Sequence, residues 1–448
     1  MDMMEKYRVF LVGCMLCLFW SADAATIVYN ISNYDRGKQL SFFLTSVEKE
    51  CQAFVDEYGK GNFELSGKSP QYVYMQYGEN KQLLFVEPDG ELIVNWEDGK
   101  VPYVGFEGDG ADINQYLNSH KIVLTWNRDY KLCENAFLGK LDSLYAVNIE
   151  SLEESRLSES FKGIEKVRVK SIVYDKIFMY PQYHKHLVKD SAYAPSDSYY
   201  KKIEKLTDFN DEWLFLPEYR NFLINAVSCL SLWKNIPHKG SLRSARYAEQ
   251  YVENASIREV LINYYANSYI RNYGLKGADE LIALFKKNVN SPDLIQKFQT
   301  LCGTWERIAD GYYAPSFSGV NIDGRVVTLN DFKGKPVYID VWATWCVPCR
   351  KEIPYLKALE EEYGTRIHFV SISIDKNKAA WENMIKKDGI NGVQLHYNGC
   401  ERFMNDYMIK GIPRFILLDR EGRIVSANAT RPSDPKTKKL LESLLKGE

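Results

Sequence analysis

A chain of 448 residues is longer than a single hydrophobic core usually serves, so two or three domains are expected. With 45% hydrophobic and 26% charged residues and a mean hydropathy of −0.35, the composition is that of a soluble globular protein. The net charge of −2 favours neither nucleic acid nor an anionic membrane surface as a partner.

The N-terminus has the layout of a secretory signal peptide. Lys6 and Arg8 precede an apolar run over residues 9–20, and the small residues Ala22 and Ala24 suit cleavage after Ala24. The run is shorter than the ~20 residues that span a bilayer. The sequence therefore predicts a signal peptide over residues 1–24 and an exported mature chain.

A lipid anchor is the alternative interpretation of this segment. Leu11–Cys14 has the form of a lipobox, which would place a lipid on Cys14. Only Val9 and Phe10 would precede the box as apolar residues, whereas six apolar residues would follow its cysteine. This distribution favours the signal peptide.

A small antiparallel β domain is predicted over residues 25–120. Gln71–Tyr77, Lys81–Val86 and Glu91–Trp96 have the composition and alternation of strands. Glu87–Gly90 has the chemistry of a turn, so the strands on either side of it are expected to form a hairpin.

From residue 121 to 311 the pattern becomes helical. Apolar residues recur at steps of three and four in Tyr219–Trp233, Ala245–Tyr273 and Ala278–Val289. No repeat of fixed period is evident, so we predict an all-helical domain and not a solenoid.

Residues 312–448 alternate between strand-like and helix-like segments, which indicates an α/β domain. The predicted strands are Pro336–Trp342, Ile367–Ile374, Arg414–Leu418 and Ile424–Ala427, and the predicted helices are Cys346–Tyr363, Lys378–Lys387 and Pro435–Lys446.

The cysteine distribution points to one pair. Of nine cysteines, two lie in the predicted signal peptide and five more are scattered singly, which is typical of small buried hydrophobic residues. Cys346 and Cys349 instead stand three apart at the start of a predicted helix, close enough for a disulfide. Because a helix N-terminus stabilises a thiolate, Cys346 is the candidate nucleophile and is expected to be exposed. Cys349, one turn deeper, is the candidate resolving thiol.

Half of a zinc site is the alternative for this pair. Tetrahedral zinc needs two further ligands, and Cys400 has no Cys or His within a few residues. His184 and His186 lack nearby acid or thiol support, so no metal site is predicted there either.

Residues 313–448 resemble the TlpA/ResA-like branch of the thioredoxin superfamily. The resemblance rests on Asp340–Pro354, which contains Trp345-Cys346-Val347-Pro348-Cys349, and on Lys410–Pro413 later in the chain. It implies a thioredoxin-like fold, thiol–disulfide exchange without a bound cofactor, and a cis peptide before Pro413 beside the cysteine pair. By itself, Ile412-Pro413 ahead of an apolar run would indicate only a strand-initiating proline.

Two carboxylates are further candidates for the site. Asp340 is a lone acid inside an apolar strand, so burial should raise its pKa, and the resemblance implies that it accepts the proton of the resolving thiol. Glu352 lies one helical turn after Cys349 and matches an active-site glutamate of the ResA-like branch; a solvated acid favoured by the helix dipole is the alternative. Trp342 and Trp345 are expected to pack around the pair.

The type of redox chemistry can be narrowed further. Peroxiredoxins place Pro seven residues and Thr three residues before their reactive cysteine, but Ile339 and Ala343 occupy those positions here, which disfavours peroxide reduction. Val347 and Pro348 between the cysteines, and Ile412 before the proline, resemble reductases and not the oxidase or isomerase branches.

The sequence therefore predicts a periplasmic protein-disulfide reductase. The upstream segments resemble the β-plus-helical extensions of some bacterial envelope members, which implies a periplasmic location. Disulfide-containing envelope proteins are the expected substrates and a membrane-bound thiol the expected electron donor, with no nucleic acid, metal or other cofactor. The alternative is an envelope binding or scaffold protein, in which the upstream domains engage a partner and the redox pair is incidental.

Overall fold

The computed structural model of the chain describes residues 24–45, 49–67, 69–120, 122, 126–397 and 401–446. Cys14 and the predicted signal peptide before Ala24 lie outside the described residues, as does Cys400. Close contacts group the chain into two compact units, one up to Ala226 and one from Val227 onward. None of the helices in the described ranges is long and apolar enough to cross a membrane.

Strands dominate the first part of the chain, helices the middle, and both alternate at the end. The strands are β1 (Ala24–Ser32), β2 (Leu40–Leu44), β3 (Lys49–Gln52), β4 (Lys60–Ser66), β5 (Gln71–Tyr77), β6 (Asn80–Val86), β7 (Glu91–Glu97), β8 (Tyr103–Gly108), β9 (Ser318–Asn321), β10 (Val326–Thr328), β11 (Val337–Trp342), β12 (His368–Ser373), β13 (Val393–His396), β14 (Arg414–Leu418) and β15 (Ile424–Ser426). The helices are α1 (Ala111–Ser119), α2 (Trp126–Asp129), α3 (Glu134–Glu154), α4 (Glu159–Asp175), α5 (Tyr180–Val188), α6 (Asp197–Leu206), α7 (Pro217–Trp233), α8 (Gly240–Tyr251), α9 (Ala255–Tyr273), α10 (Asp279–Asn288), α11 (Pro292–Glu306), α12 (Val347–Tyr363), α13 (Lys378–Asp388), α14 (Glu401–Asp406) and α15 (Pro435–Lys446).

The first unit begins with two four-stranded sheets, in the orders β4-β1-β7-β8 and β3-β2-β5-β6. Every second side chain of β1 is buried, from Ala25 to Ile31, because successive side chains of a strand point to opposite faces. β1 pairs antiparallel with β4 but parallel with β7, so one pairing in this region departs from the predicted antiparallel sheet. The hairpin predicted across Glu87–Gly90 is also wrong, because β6 and β7 on either side of this turn belong to different sheets. A turn sequence reverses the chain but does not decide which strands pair.

Aromatic side chains hold these two sheets together. Phe42 of β2 stacks on Phe63 of β4 with ring centroids 4.4 Å apart, and the edge of Tyr77 in β5 meets Trp96 in β7 at 6.1 Å. Each pair joins strands of different sheets, and such pairs contribute about 0.5–1.5 kcal/mol beyond the area that they bury. The region is therefore a two-layer β sandwich.

Helix α4 packs on the second sheet within the same unit. The ring centroids of Phe161 and of Phe85 in β6 are 5.0 Å apart, and the Tyr72 hydroxyl of β5 donates to Glu165 at 2.9 Å. Arg168 donates to both oxygens of Glu165 at 2.7 Å. Residues 121–311 thus contribute helices to both units, and the division into domains at residues 120 and 311 remains a prediction.

The single helix predicted over Ala245–Tyr273 is wrong, because α8 and α9 divide this segment. The side chain of Asn254 caps α9 by accepting a hydrogen bond from the N–H of Ile257 at 3.1 Å. Arg258 donates to the carbonyl of Val252 at 2.7 Å across the break. The apolar period continues through the turn, so periodicity alone did not reveal it.

The C-terminal domain is built on a seven-stranded sheet in the order β10-β9-β13-β12-β11-β14-β15. β11 lies in the middle of this sheet, parallel to β12 and antiparallel to β14, and all its residues are buried. This arrangement confirms the predicted thioredoxin-like α/β fold. The sequence pattern missed β9, β10, β13 and α14, because segments of three to six residues show too little periodicity.

Helices α12 and α15 pack on the face of the sheet that carries Tyr338 of β11 and Phe415 of β14. These two rings stack at 5.6 Å and share a core with Leu356 of α12 and Leu441 of α15. Asp340 is two residues after Tyr338 and pairs in register with Phe415, so it occupies the same face. The sheet thus directs Asp340 toward α12.

Candidate active site

The cysteine pair lies where β11 passes through a short loop into α12. Cys346 and Cys349 form a disulfide with their Cα atoms 5.3 Å apart. Cys346 is the N-cap of α12, and the N–H of Cys349 donates to its Sγ at 3.2 Å. The loop is closed by the N–H of Cys346, which donates to the carbonyl of Ala343 at 3.1 Å. Because both sulfurs are engaged in the disulfide, this state offers no thiolate ligand for zinc.

The exposure of Cys346 and of Trp345 differs from what the sequence predicts. Cys346 is only 4% exposed in the disulfide form, because it packs in one cluster with Trp342, Ala343 and Trp381. Trp342 is buried as predicted, but Trp345 is 65% exposed and does not pack around the pair.

Pro413 directly precedes the strand β14, beside this cluster. The Ile412–Pro413 peptide bond is cis, as the resemblance implied, and Ile412 packs against the cluster that contains both cysteines. A cavity of about 510 Å³ opens beside Pro413 and is also lined by Arg431 and Ser433.

Asp340 is a buried carboxyl group with a strongly perturbed proton affinity. Its side chain is 6% exposed, and burial raises its pKa to about 8, with a further contribution from the negative charge of Glu352. A hydrogen bond with Ser371 of β12 acts in the opposite direction. The raised pKa expected from its position in an apolar strand is confirmed.

Glu352 is buried as well and is not a solvated helix acid. It is 8% exposed and lies on the same face of α12 as Cys349. The Ser433 hydroxyl donates to its Oε1 and the Ser433 N–H to its Oε2, each at 3.0 Å. Nothing in the sequence pointed to Ser433, because it lies 81 residues from Glu352 in the segment before α15.

Asp375 is a second residue that the sequence reasoning missed. It follows β12, is 4% exposed, and holds the backbone and hydroxyl of Thr344 in the loop before Cys346. The sequence does contain a signal for Asp375, because a single acidic residue directly after an apolar strand lies at the carboxyl edge of the sheet. Parallel strands β11 and β12 end at the same edge, where the loop to α12 begins.

His184 and His186 belong to α5, within the first compact unit. His184 is buried and its Nδ1 is 3.0 Å from the carbonyl of Tyr130, so its position is that of a packed core histidine. Among the described residues, no group of three or more His, Cys, Asp or Glu side chains is arranged to hold a metal ion.

Comparison with known proteins places this geometry in a family. The Redoxin family profile matches residues 309–445, which include all five candidate residues. The thiol-disulfide oxidoreductase ResA of Bacillus thuringiensis subsp. konkukian is 30% identical over 142 residues, which are 32% of this chain and 79% of that protein. The chain belongs to the ResA-like thiol–disulfide oxidoreductases of the thioredoxin superfamily.

Further relatives of this ResA-like protein include ResA of Bacillus subtilis, 30% identical over 121 residues, which are 27% of this chain and 67% of that protein. The crystal structure of the thioredoxin domain of a thiol-disulfide oxidoreductase from Bacteroides vulgatus is 32% identical. The match covers 30% of this chain and 98% of the Bacteroides vulgatus chain, with a TM-score of 0.29.

Proposed function

We propose that this ResA-like protein is a periplasmic protein-disulfide reductase that uses Cys346 and Cys349 as its redox pair. The observation that carries the proposal is the cysteine pair at the amino end of α12, with Ile412 of the cis-proline bond in the same packed cluster. The backbone N–H groups of a helix N-terminus stabilise a thiolate, which is the form that attacks a disulfide.

In the first step, the thiolate sulfur of reduced Cys346 attacks one sulfur of a substrate disulfide. The substrate S–S bond breaks, one substrate sulfur leaves as a thiolate that takes a proton from water, and a mixed disulfide joins Cys346 to the other sulfur. The exposed side chains of Trp345 and Val347 offer an apolar surface to the substrate chain. The cavity beside Pro413 offers room for it.

In the second step, the sulfur of Cys349 gives up its proton and attacks the Sγ of Cys346. The mixed disulfide breaks, the second substrate thiolate leaves, and the Cys346–Cys349 disulfide closes. Two electrons have then passed from the cysteine pair to the substrate.

Asp340 is the proposed acceptor of the Cys349 proton. Its side chain faces α12, whose buried side carries Cys349, and its pKa of about 8 is close to the ~8.5 of a free thiol. Transfer between groups of similar pKa costs little free energy. Glu352 supports this role, because its charge adds to the effect of burial in raising the pKa of Asp340.

The return to the reduced pair needs two electrons from a thiol donor, which we place at the membrane, and the substrates are disulfide-containing envelope proteins. The direction of electron flow is supported by Val347 and Pro348 between the cysteines and by Ile412, which resemble reductases. The periplasmic location is supported by the signal-peptide pattern of residues 1–24.

Insulin reduction by the mature chain, with a dithiol as electron source, tests the proposal. We expect turnover that Cys346→Ser abolishes, while Cys302→Ser, which changes a cysteine outside the pair, leaves the rate unchanged. A chain that reoxidises a reduced, unfolded protein faster than it reduces insulin would reverse the proposed direction. No Cys346-dependent turnover would favour the binding or scaffold alternative.

A further inference from the structure

Asp375, which takes no part in the exchange steps, holds the loop between β11 and α12 by hydrogen bonds. This loop, residues 343–346, carries Cys346 at its end. Asp375 lies two residues beyond β12, the parallel neighbour of β11, and a backbone hydrogen bond continues the pairing of the two strands beyond the end of β12. There the N–H of Ile374 donates to the carbonyl of Trp342 at 3.0 Å. Asp375 is thereby placed beside the start of the loop.

The carboxylate of Asp375 holds Thr344 at two points. Oδ2 accepts a hydrogen bond from the Thr344 N–H at 2.9 Å, and Oδ1 accepts one from the Thr344 hydroxyl at 2.7 Å. Oδ2 also accepts from the Ser373 hydroxyl at 2.8 Å. Hydrogen bonds to an ionised carboxylate are about twice as strong as neutral ones, so this is a firm attachment for a loop.

Asp375 is itself fixed by its neighbours. The Ser373 hydroxyl accepts from the N–H of Asp375 at 3.1 Å, and Nε2 of His396 donates to its carbonyl at 2.7 Å. The His396 ring is 5% exposed and lies 5.3 Å from the ring of Trp381, which packs in the same cluster as Cys346 and Cys349. The anchor is therefore continuous with the packing around the redox pair.

We infer that Asp375 is a positioning residue for the redox centre: through Thr344 it fixes the loop that presents the sulfur of Cys346 to the N-terminus of α12. This inference rests on the proposed function, in which Cys346 is the nucleophile. Thr344 is two residues before Cys346, and the N–H of Cys349 reaches the Cys346 sulfur at 3.2 Å. Hydrogen bonds weaken steeply when distance and angle degrade, so a loosened loop costs the thiolate its N–H donors.

Three roles for Asp375 are distinguished by how the pKa of the Cys346 thiol changes when the carboxylate of Asp375 is removed. A positioning role requires the pKa of the Cys346 thiol to rise when the carboxylate is removed. A direct charge effect would lower that pKa, because the loss of a nearby negative charge favours a thiolate. A role in fold stability alone would lower the unfolding temperature and leave the pKa unchanged.

The experiment follows alkylation of Cys346 by iodoacetamide against pH in the reduced full chain, with mass spectrometry to identify the modified cysteine. For Asp375→Ala we expect the rate at neutral pH to fall about tenfold, which corresponds to a rise of about one in the pKa. Thr344→Val keeps the backbone hydrogen bond and loses only the hydroxyl, so it should give a smaller change in the same direction. Thr344→Ser should restore the wild-type profile.

Tyr407→Phe is the matched control, because it removes a buried hydroxyl bonded to the carbonyl of Pro315 at 2.6 Å in the same domain. It should lower the unfolding temperature without moving the pH profile of Cys346. An unchanged or lowered pKa in Asp375→Ala would overturn the positioning role. If that variant does not fold, an unshifted profile for Thr344→Val would do the same. Failure of the proposed function would instead appear in the wild-type chain, as a Cys346 that is no more acidic than a free thiol.

Discussion

Asp340 and Glu352 are two buried carboxyl groups on neighbouring elements of one domain, and the charge of Glu352 raises the pKa of Asp340. The surroundings of the two carboxyl groups differ. Both oxygens of Glu352 accept hydrogen bonds from Ser433, whereas burial dominates at Asp340 and favours its protonated form. This difference fits the proposed role of Asp340 as the group that exchanges a proton.

Asp340→Asn should stabilise the folded protein in a pH-dependent way. Folded Asp340 keeps its proton up to about pH 8, while the unfolded chain loses it near its usual value of about 4. Between these values the folded state binds more protons, so the free energy of unfolding falls as pH rises. The variant does not titrate there, and its advantage should grow to a few kcal/mol by pH 8.

Urea unfolding of the oxidised chain at several pH values between 4.5 and 8 measures this effect. Glu361→Gln, which changes an exposed carboxylate on α12, serves as the control and should follow the wild-type curve. A constant difference between Asp340→Asn and the wild type across the range would show that Asp340 does not titrate in this window.

The same substitution should also separate the two steps of exchange. A proton acceptor for Cys349 matters when the mixed disulfide is resolved and not when Cys346 attacks. Asp340→Asn should therefore slow resolution about a hundredfold and leave attack nearly unchanged. Rapid mixing of the reduced chain with a disulfide peptide resolves the two phases, and equal slowing of both would mean that Asp340 is only structural.

Glu352→Gln should move the pH dependence of resolution to lower pH. Without the charge of Glu352, the pKa of Asp340 falls, so the carboxylate form becomes available at lower pH and the rate reaches its plateau earlier. Ser433→Ala is the control, because it removes one hydroxyl but keeps the charge of Glu352. A profile for Glu352→Gln that coincides with that of the wild type would contradict the coupling.

The parts of the site that could be predicted from the sequence are those whose chemistry is local. Cys346 and Cys349 share one helix turn, and Asp340 could be identified as a buried acid from the apolar residues around it. Ser433 could not be found in this way, because it reaches Glu352 from 81 residues away. Asp375 carries a local signal in its position after an apolar strand, but its contact with Thr344, 31 residues away, could not be predicted. Only the packing of the sheet brings such residues together.

Prediction of the fold from the sequence has the same limit. The pattern predicted β11, α12 and α15 nearly to the residue, since each buries a continuous face over several periods. It gave no indication that β1 lies parallel to β7, because strand pairing between distant segments depends on tertiary packing and not on local periodicity. For the same reason, it could not tell that Trp342 is buried and Trp345 is exposed.

In the reduced chain, Cys346 should be the most acidic of the thiols in the described residues. It caps α12, whereas burial raises the pKa of Cys229 to about 12 and also raises that of Cys302. Iodoacetamide at neutral pH should therefore label Cys346 well before Cys229 and Cys302, as peptide mass spectrometry would show. A Cys346 pKa at or above the ~8.5 of a free thiol would remove its assignment as nucleophile.

Cys349→Ser should convert the enzyme into a trap for its substrates. The Cys346 sulfur remains at the helix N-terminus and can still attack, but no thiol is left to break the mixed disulfide, so substrate proteins should stay bound to Cys346. Expression of the full-length variant in the bacterial envelope, followed by non-reducing gels, would show the adducts as bands that a reductant removes. The Cys346→Ser variant is the control, because it keeps Cys349, which is 3% exposed and set one turn into α12, and should trap little. Equal trapping by the two variants would contradict the assignment of attack to Cys346 and resolution to Cys349.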